Sequence, residues 1–181
     1  MQDFMIDLET MGKGNNALIT TVSIVQFDLK TGEVGAEIEK GIGWDTQVNF
    51  GAVMDVNTVR WWMTQDKEAI DAMMRLEQHS VSEVVSAINA FFAVNCTDIN
   101  NATLWGNGAT FDNVIIRNLY ERHGEVFPLP FWCDKDVRTL TYIAEVEPRN
   151  FAFEGIKHRG IDDCKHQINY CCHAYRKYKG L

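Results

Sequence analysis

Apolar and polar positions near the start of the chain follow the pattern of strands. Residues 3–9 (DFMIDLE) and 20–29 (TTVSIVQFDL) are rich in apolar and β-branched side chains, and Lys30-Thr31-Gly32 reads as a turn into a third strand over 33–42. The chain therefore opens with a β-meander. After a loop over 44–50 the period changes, and Val59, Trp62, Met63, Ile70, Met73 and Met74 fall at helical spacing across 57–74. Ser80 opens a firmer helix: Ser80-Val81-Ser82-Glu83 forms a capping box, and Val81, Val84, Val85, Ile88, Phe91 and Phe92 recur at the helical period. A short strand at 103–106 breaks at Gly106-Asn107-Gly108 into a helix over 110–122 that carries Phe111, Ile115 and Leu119 on one face. Helices are expected again over 136–146 and 162–178, the last with a buried stripe of Ile161, Cys164, Ile168, Cys171, Tyr175 and Tyr178. Three strands followed by helices interleaved with short strands predict an α/β fold, a mixed central sheet flanked by helices.

The length of 181 residues, 46% of them hydrophobic, suits a single domain over 1–181 with a sizeable core. No apolar run is long enough to span a bilayer, and the opening MQDFMIDLET lacks the basic, then apolar, character of a secretion signal. A soluble, cytoplasmic protein with no membrane partner is expected. Five cysteines without a CxxC pair argue for reduced, mostly buried thiols rather than a disulfide framework or zinc site. Asn95-Cys96-Thr97 and Asn101-Ala102-Thr103 match a glycosylation pattern that has no meaning without secretion. The net charge of −8 counts against a phosphate-bearing partner, because such proteins usually present a basic patch. A cluster of carboxylates that binds divalent cations reverses the sign locally, since each ion brings two positive charges.

Three small clusters carry candidate chemistry. Asp7 and Glu9 lie two apart in a strand, so both project from one face while Phe4, Ile6 and Leu8 point the other way. A solvated edge strand would explain the pair equally simply, but this strand is too apolar to suit that reading. Asp112 stands where a short strand passes into a helix, a place where open α/β sheets put functional groups, although an acid in a first helical turn is also a common partner of the helix dipole. His158 and Asp163 flank the entry to the last helix, beside Gly160. His79, His123, His166 and His173 read as structural. Gly106-x-Gly108 lacks the third glycine of a dinucleotide fingerprint and comes too late in the chain for one.

Taken in order, DLET (7–10), GNGATFDN (106–113) and HRGIDD (158–163) resemble the three motifs of the DEDDh family of 3'-5' exonucleases, over nearly the whole chain. The resemblance is nearest to the small RNase T-like branch of phages, prophages and some bacteria, through Glu9-Thr10-Met11-Gly12 and the pair Trp61-Trp62. Two positions depart from the common pattern: Gly160 stands where Ala is frequent, and Gly108 where many proofreading enzymes carry Asn. The resemblance implies an RNase H-like fold and a two-metal phosphodiester hydrolase. Asp7, Glu9, Asp112 and Asp163 would hold two divalent cations, Mg²⁺ or Mn²⁺, with Asp7 bridging them at a separation of about 4 Å. His158, neutral at working pH, would be the general base. The same resemblance assigns Thr10, Met11 and Gly12 to the terminal sugar and base, with Met11 as a wedge. Phe111 and Trp62 are candidate stacking surfaces.

Lys157, Arg159 and Lys165, with Arg176, Lys177 and Lys179, are candidate phosphate contacts. The implied partners are single-stranded RNA or DNA 3' ends, with RNA slightly favoured, and branch members are often homodimers. The alternatives are a 3'-5' exodeoxyribonuclease of phage or prophage origin and an inactive nucleic-acid-binding module, the latter disfavoured because all five signature positions are filled.

Overall fold

The computed structural model describes residues 1–181. Strands β1 (Asp3–Thr10), β2 (Ile19–Phe27) and β3 (Val34–Ile42) form the expected antiparallel meander. Two residues, Gln78–His79, add β4 parallel to β3, and β5 (Thr103–Gly106) runs parallel to β1 on its other side. With β6 (Asp134–Asp136) parallel to β5, the mixed sheet has the order β4-β3-β2-β1-β5-β6. Its centre is β1, where both faces are covered. On one face Phe4, Ile6 and Leu8 join the main core with α4 (Val81–Asn95) and α5 (Asp112–Arg122). On the other, Met5 packs with Val137 of α6 (Val137–Ile143) and with Ile161, Cys164 and Ile168 of α7 (Gly160–Lys179).

Several expected elements change. The 44–50 loop contains a helix, α1 (Trp44–Val48), whose buried Gln47 receives the Ile19 N–H at 2.9 Å and donates to the Ile19 carbonyl at 2.7 Å. Its side-chain amide thus stands in for a strand partner at the start of β2. The single helix expected over 57–74 is two, α2 (Val56–Trp62) and α3 (Lys67–Arg75). Asp55 caps the first by accepting the Asn57 and Thr58 N–H groups. Met63 and Met74 are consequently exposed, not core. Asp136 lies outside the helix expected from it, as the N-cap of α6 that accepts the Thr139 N–H. Tyr178 is exposed rather than part of the α7 stripe, because the helix outruns the sheet it packs on. All five cysteines are free thiols, and no helix is long and apolar enough to cross a membrane.

Candidate active site

Alternation along β1 puts Asp7 and Glu9 on the face toward α7, the same face as Met5. The register places Asp7 opposite Ser23 of β2, and Ser23 opposite Glu39 of β3. These three polar residues form a row across the sheet, and the first turn of α7 sits on it. Gln167 Nε2 donates to Asp7 Oδ1 at 2.7 Å, while Glu39 Oε1 accepts the Ile161 N–H and the Ser23 hydroxyl, each at 3.2 Å. Arg159, the residue ahead of α7, caps nothing with its side chain. The cap comes from β3 instead, through Glu39. Gly160 makes this approach possible, since a Cβ there would collide with the Ser23 side chain.

Asp112 reaches the same place from the other side. Strand β5 ends at Gly106, opposite Ile6, and the Asp112 carboxylate accepts the Leu8 N–H at 3.1 Å where that strand has stopped. Asp163 lies in the first turn of α7, and its Oδ2 is buried with no hydrogen-bond partner. The neighbouring Asp162 turns away from the cluster and accepts the Ile156 N–H at 3.0 Å, which holds the preceding loop. His158, in the left-handed region at φ 65°, brings its Nδ1 to 3.9 Å from Glu9 Oε1. Ligating atoms of Glu9, His158 and Asp163 all lie within 4.8 Å of one another. The five candidate residues therefore converge.

The electrostatics of the cluster are those of acids short of positive charge. Burial, only partly offset by the Gln167 bond and reinforced by Glu39, pushes Asp7 up to about 6. Burial and then the charge of Asp7 push Asp163 up to about 7, with the His158 N–H acting the other way. Glu9 and Asp112 are raised well above the usual carboxylate range, first by burial and then by Asp7. His158 is lowered, first by burial and then by Lys157, so its imidazole favours the neutral form. Four carboxylates pressed toward neutrality, one with an oxygen that has no partner, form an all-oxygen donor set that fits hard divalent cations.

Residues 2–175 match the Rv2179c-like 3'-5' exoribonuclease domain family. The chain belongs to that family. It is thus a DEDDh-type 3'-5' exonuclease, of a group that generally uses divalent metal ions. Among curated proteins, the exodeoxyribonuclease of Enterobacteria phage T4 is 24% identical, covering 100% of this chain and 92% of its own. The nuclease domain of 3'hExo, a DEDDh member bound to rAMP, shares the fold with a TM-score of 0.64 at 11% identity, over 98% of this chain and 92% of that one. Exonuclease I of E. coli, solved with a dT13 oligonucleotide, aligns with a TM-score of 0.54 at 15% identity, over 97% of this chain and 40% of that one.

The substrate-side expectations fare less evenly in this exonuclease. Thr10 is buried and its hydroxyl donates to the Gly12 carbonyl at 2.8 Å, while a Cβ on Gly12 would crowd the Val53 carbonyl at 2.9 Å. The Thr10–Gly12 turn is therefore set beside the acids by its own contacts. Met11 is only 3% exposed and packs with Leu18, Ala52 and Trp62, so it offers no wedge in this conformation. Trp62 is 4% exposed and donates its indole N–H to the Thr10 carbonyl, which leaves no stacking face. Its exposed neighbour is Trp61, at 43%, set edge-on against the His158 ring with centroids 5.0 Å apart. Phe111, just ahead of α5, is partly buried against the main core.

Most of the expected phosphate contacts are engaged within the chain. Lys165 pairs with Glu37 at 2.8 Å, and Arg159 lies between Glu39 and Asp162. Arg176 and Lys177 bond the backbone carbonyls of Lys30 and Glu145, and Lys179 sits over the Tyr178 ring. Lys157 alone of that group both lacks such a partner and acts on His158 and Asp163.

Two contributors were not singled out from sequence, Glu39 and Gln167. Gln167 had a usable signal, because it lies four residues after Asp163 and so on the same helical face. Glu39 had none, since its place depends on the pairing of β2 with β3.

Proposed function

We propose that this exonuclease trims the 3' ends of short single-stranded RNA, with two divalent cations, Mg²⁺ or Mn²⁺, held by Asp7, Glu9, Asp112 and Asp163. The observation that carries this reading is the buried cluster of four raised carboxylates with a half-exposed imidazole beside it. When bound, such cations supply the positive charge that favours attack by water and departure of the 3' oxygen. The chain's own residues do the rest. His158 accepts the proton of the attacking water as the new oxygen–phosphorus bond forms and the bond to the 3' oxygen breaks, leaving a 5'-phosphate on the released nucleotide and a 3' hydroxyl on the strand. Gln167 and Glu39 hold Asp7 and the first turn of α7 in register during that event. Trp61, exposed beside His158, is the aromatic face on which a terminal base stacks.

The description of the matched family as exoribonucleases favours RNA, and the phage T4 exodeoxyribonuclease supports DNA as the second reading. Digestion of matched RNA and DNA oligonucleotides, labelled at either end, with Mg²⁺ or Mn²⁺ and resolution by length, decides between them. RNA shortened stepwise from its 3' end faster than DNA is the expected result. Faster loss of the DNA strand replaces RNA with DNA. No shortening of either strand with either metal would return the chain to the role of an inert binding module.

A further inference from the structure

A chain with a net charge of −8 that threads a polyanion toward four carboxylates needs cations placed along the route. The eight arginines divide sharply. Arg75, Arg117, Arg149 and Arg159 are ion-paired with Asp71, Asp134, Glu147 and Glu39. Arg122 and Arg176 donate to the carbonyls of Phe50 and Lys30. Arg60 and Arg138 are left, both exposed, with no acid or carbonyl taking their guanidinium groups.

Arg138 is the one at the site. It lies in the first turn of α6, and Asp136 fixes that turn to the second motif by accepting the Ala109 N–H with one oxygen and the Thr139 N–H with the other, both at 2.6 Å. The guanidinium consequently rests over Gly108: a Cβ there would lie 3.4 Å from Arg138 Cζ and 3.5 Å from Nη1. Gly108 also has φ 111°, a conformation open chiefly to glycine. With no side chain at Gly108, an arginine from a different element lies directly against its backbone. From that seat its charge is felt at Asp112, at Tyr170 and at Asp136, the N-cap of its own helix.

We propose that Arg138 is a substrate-binding residue of the exonuclease site, its planar guanidinium taking a backbone phosphate of the single strand where the strand passes Gly108. An unpaired guanidinium presents a fork of donors matched to phosphate oxygens, and no intramolecular ion pair has to be broken first. Lys157, beside His158 and Asp163, supplies a second, less directional charge on the side of the third motif. The inference rests on the proposed nuclease reading and deepens it by naming the residue that offsets the acidity of the chain.

The test is binding of fluorescent rU and dT oligonucleotides to the full chain with Ca²⁺ as the divalent ion, as a function of salt, for the wild type, Arg138→Ala, Arg138→Lys and Arg60→Ala, alongside their melting temperatures. Arg138→Ala is expected to weaken binding about tenfold or more at low salt. The slope of log K against log salt should become shallower by about 0.7, the share of one phosphate contact on a single strand. Arg138→Lys should restore the slope but only part of the affinity, and Arg60→Ala should change both less than Arg138→Ala does. Affinity and slope equal to wild type in a stably folded Arg138→Ala overturn the assignment and leave the nuclease reading standing. A wild-type chain that neither binds nor cleaves either strand overturns both.

Discussion

The two faces of β1 are built from alternate residues of one strand, yet they obey opposite rules. Phe4, Ile6 and Leu8 enter an apolar core in which Phe4 meets Phe92 edge-to-face at 4.9 Å. Met5, Asp7 and Glu9 face α7, and only the first of them is content there: the two acids are buried among like charges and pushed toward protonation. A period of two places stabilising and destabilising groups one residue apart. The apolar face holds the strand still, which is what allows the acidic face to remain concentrated although its carboxylates have no cation bonded to them. Locally unfavourable charge at a site is the usual companion of a function that brings in an opposite charge.

The contrast predicts separable losses. The largest expected effect is on turnover, from His158→Asn, chosen because Asn tolerates the left-handed backbone of this position better than Ala. A fall of about 10²- to 10⁴-fold is expected in single-turnover hydrolysis of a labelled strand, with melting temperature little changed. Because His158 is lowered below its ordinary value, wild-type activity should rise with pH through that lowered value and then level off. The variant should lose that acidic limb. Turnover equal to wild type would remove His158 from the reaction.

On the opposite face the expected loss is of stability. Phe4→Ala should cost about 3–5 kcal/mol in urea unfolding, as is usual when a buried aromatic site is emptied. If the two faces are as independent as their contacts indicate, the folded fraction of that variant keeps its response to metal. A smaller loss than about 1 kcal/mol would mean that this core closes over the gap.

Asp7→Asn should move stability the other way. A carboxylate raised in the folded state from 3.8 to about 6, like Asp163 raised to about 7, keeps its proton longer there than in the unfolded chain. The folded state therefore gains below pH 4 and loses that gain as pH rises through about 6 to 7. The metal-free wild type should melt progressively lower between those limits, and Mg²⁺ or Mn²⁺ should raise the melting temperature more at pH 8 than at pH 5. Asp7→Asn should flatten the metal-free profile and shrink the metal-induced shift. A metal shift as large as wild type would take Asp7 out of the donor set.

The acids are legible in the sequence and much of what aims them is not, for physical reasons. Asp7 and Glu9 are legible because strand alternation is local, and Asp112, His158 and Asp163 because their motifs occur in a recognisable order. The meander and the long helices are legible for the same reason, as each repeats its period several times. Strands β4 and β6 hold two and three residues, too few for any alternation to register. Trp62 illustrates a conflict between two signals: its helical spacing with Val59 suits a core position, its aromatic face suits a stacked base, and burial decides for the core. Glu39 depends on a cross-strand register that no local pattern states.

That register also gives the smallest effect expected, at Gly160. Ala favours a helix more than Gly does, so propensity alone makes Gly160→Ala stabilising by less than about 1 kcal/mol. The row Asp7–Ser23–Glu39 reverses the sign, because the new methyl would meet both side-chain atoms of Ser23, with Asp7 Oδ2 3.6 Å away. The helix must lift, drawing the Ile161 N–H from Glu39 and Asp163 from Glu9. A net destabilisation of about 1–3 kcal/mol is expected, typical of overpacking, with activity falling in parallel. Ser23→Gly in the same chain clears the space and should recover part of both, so the two substitutions will be non-additive in a double-mutant cycle. Additive effects would show that α7 rests on the sheet without using this row, and that the placement of Asp163 has another origin.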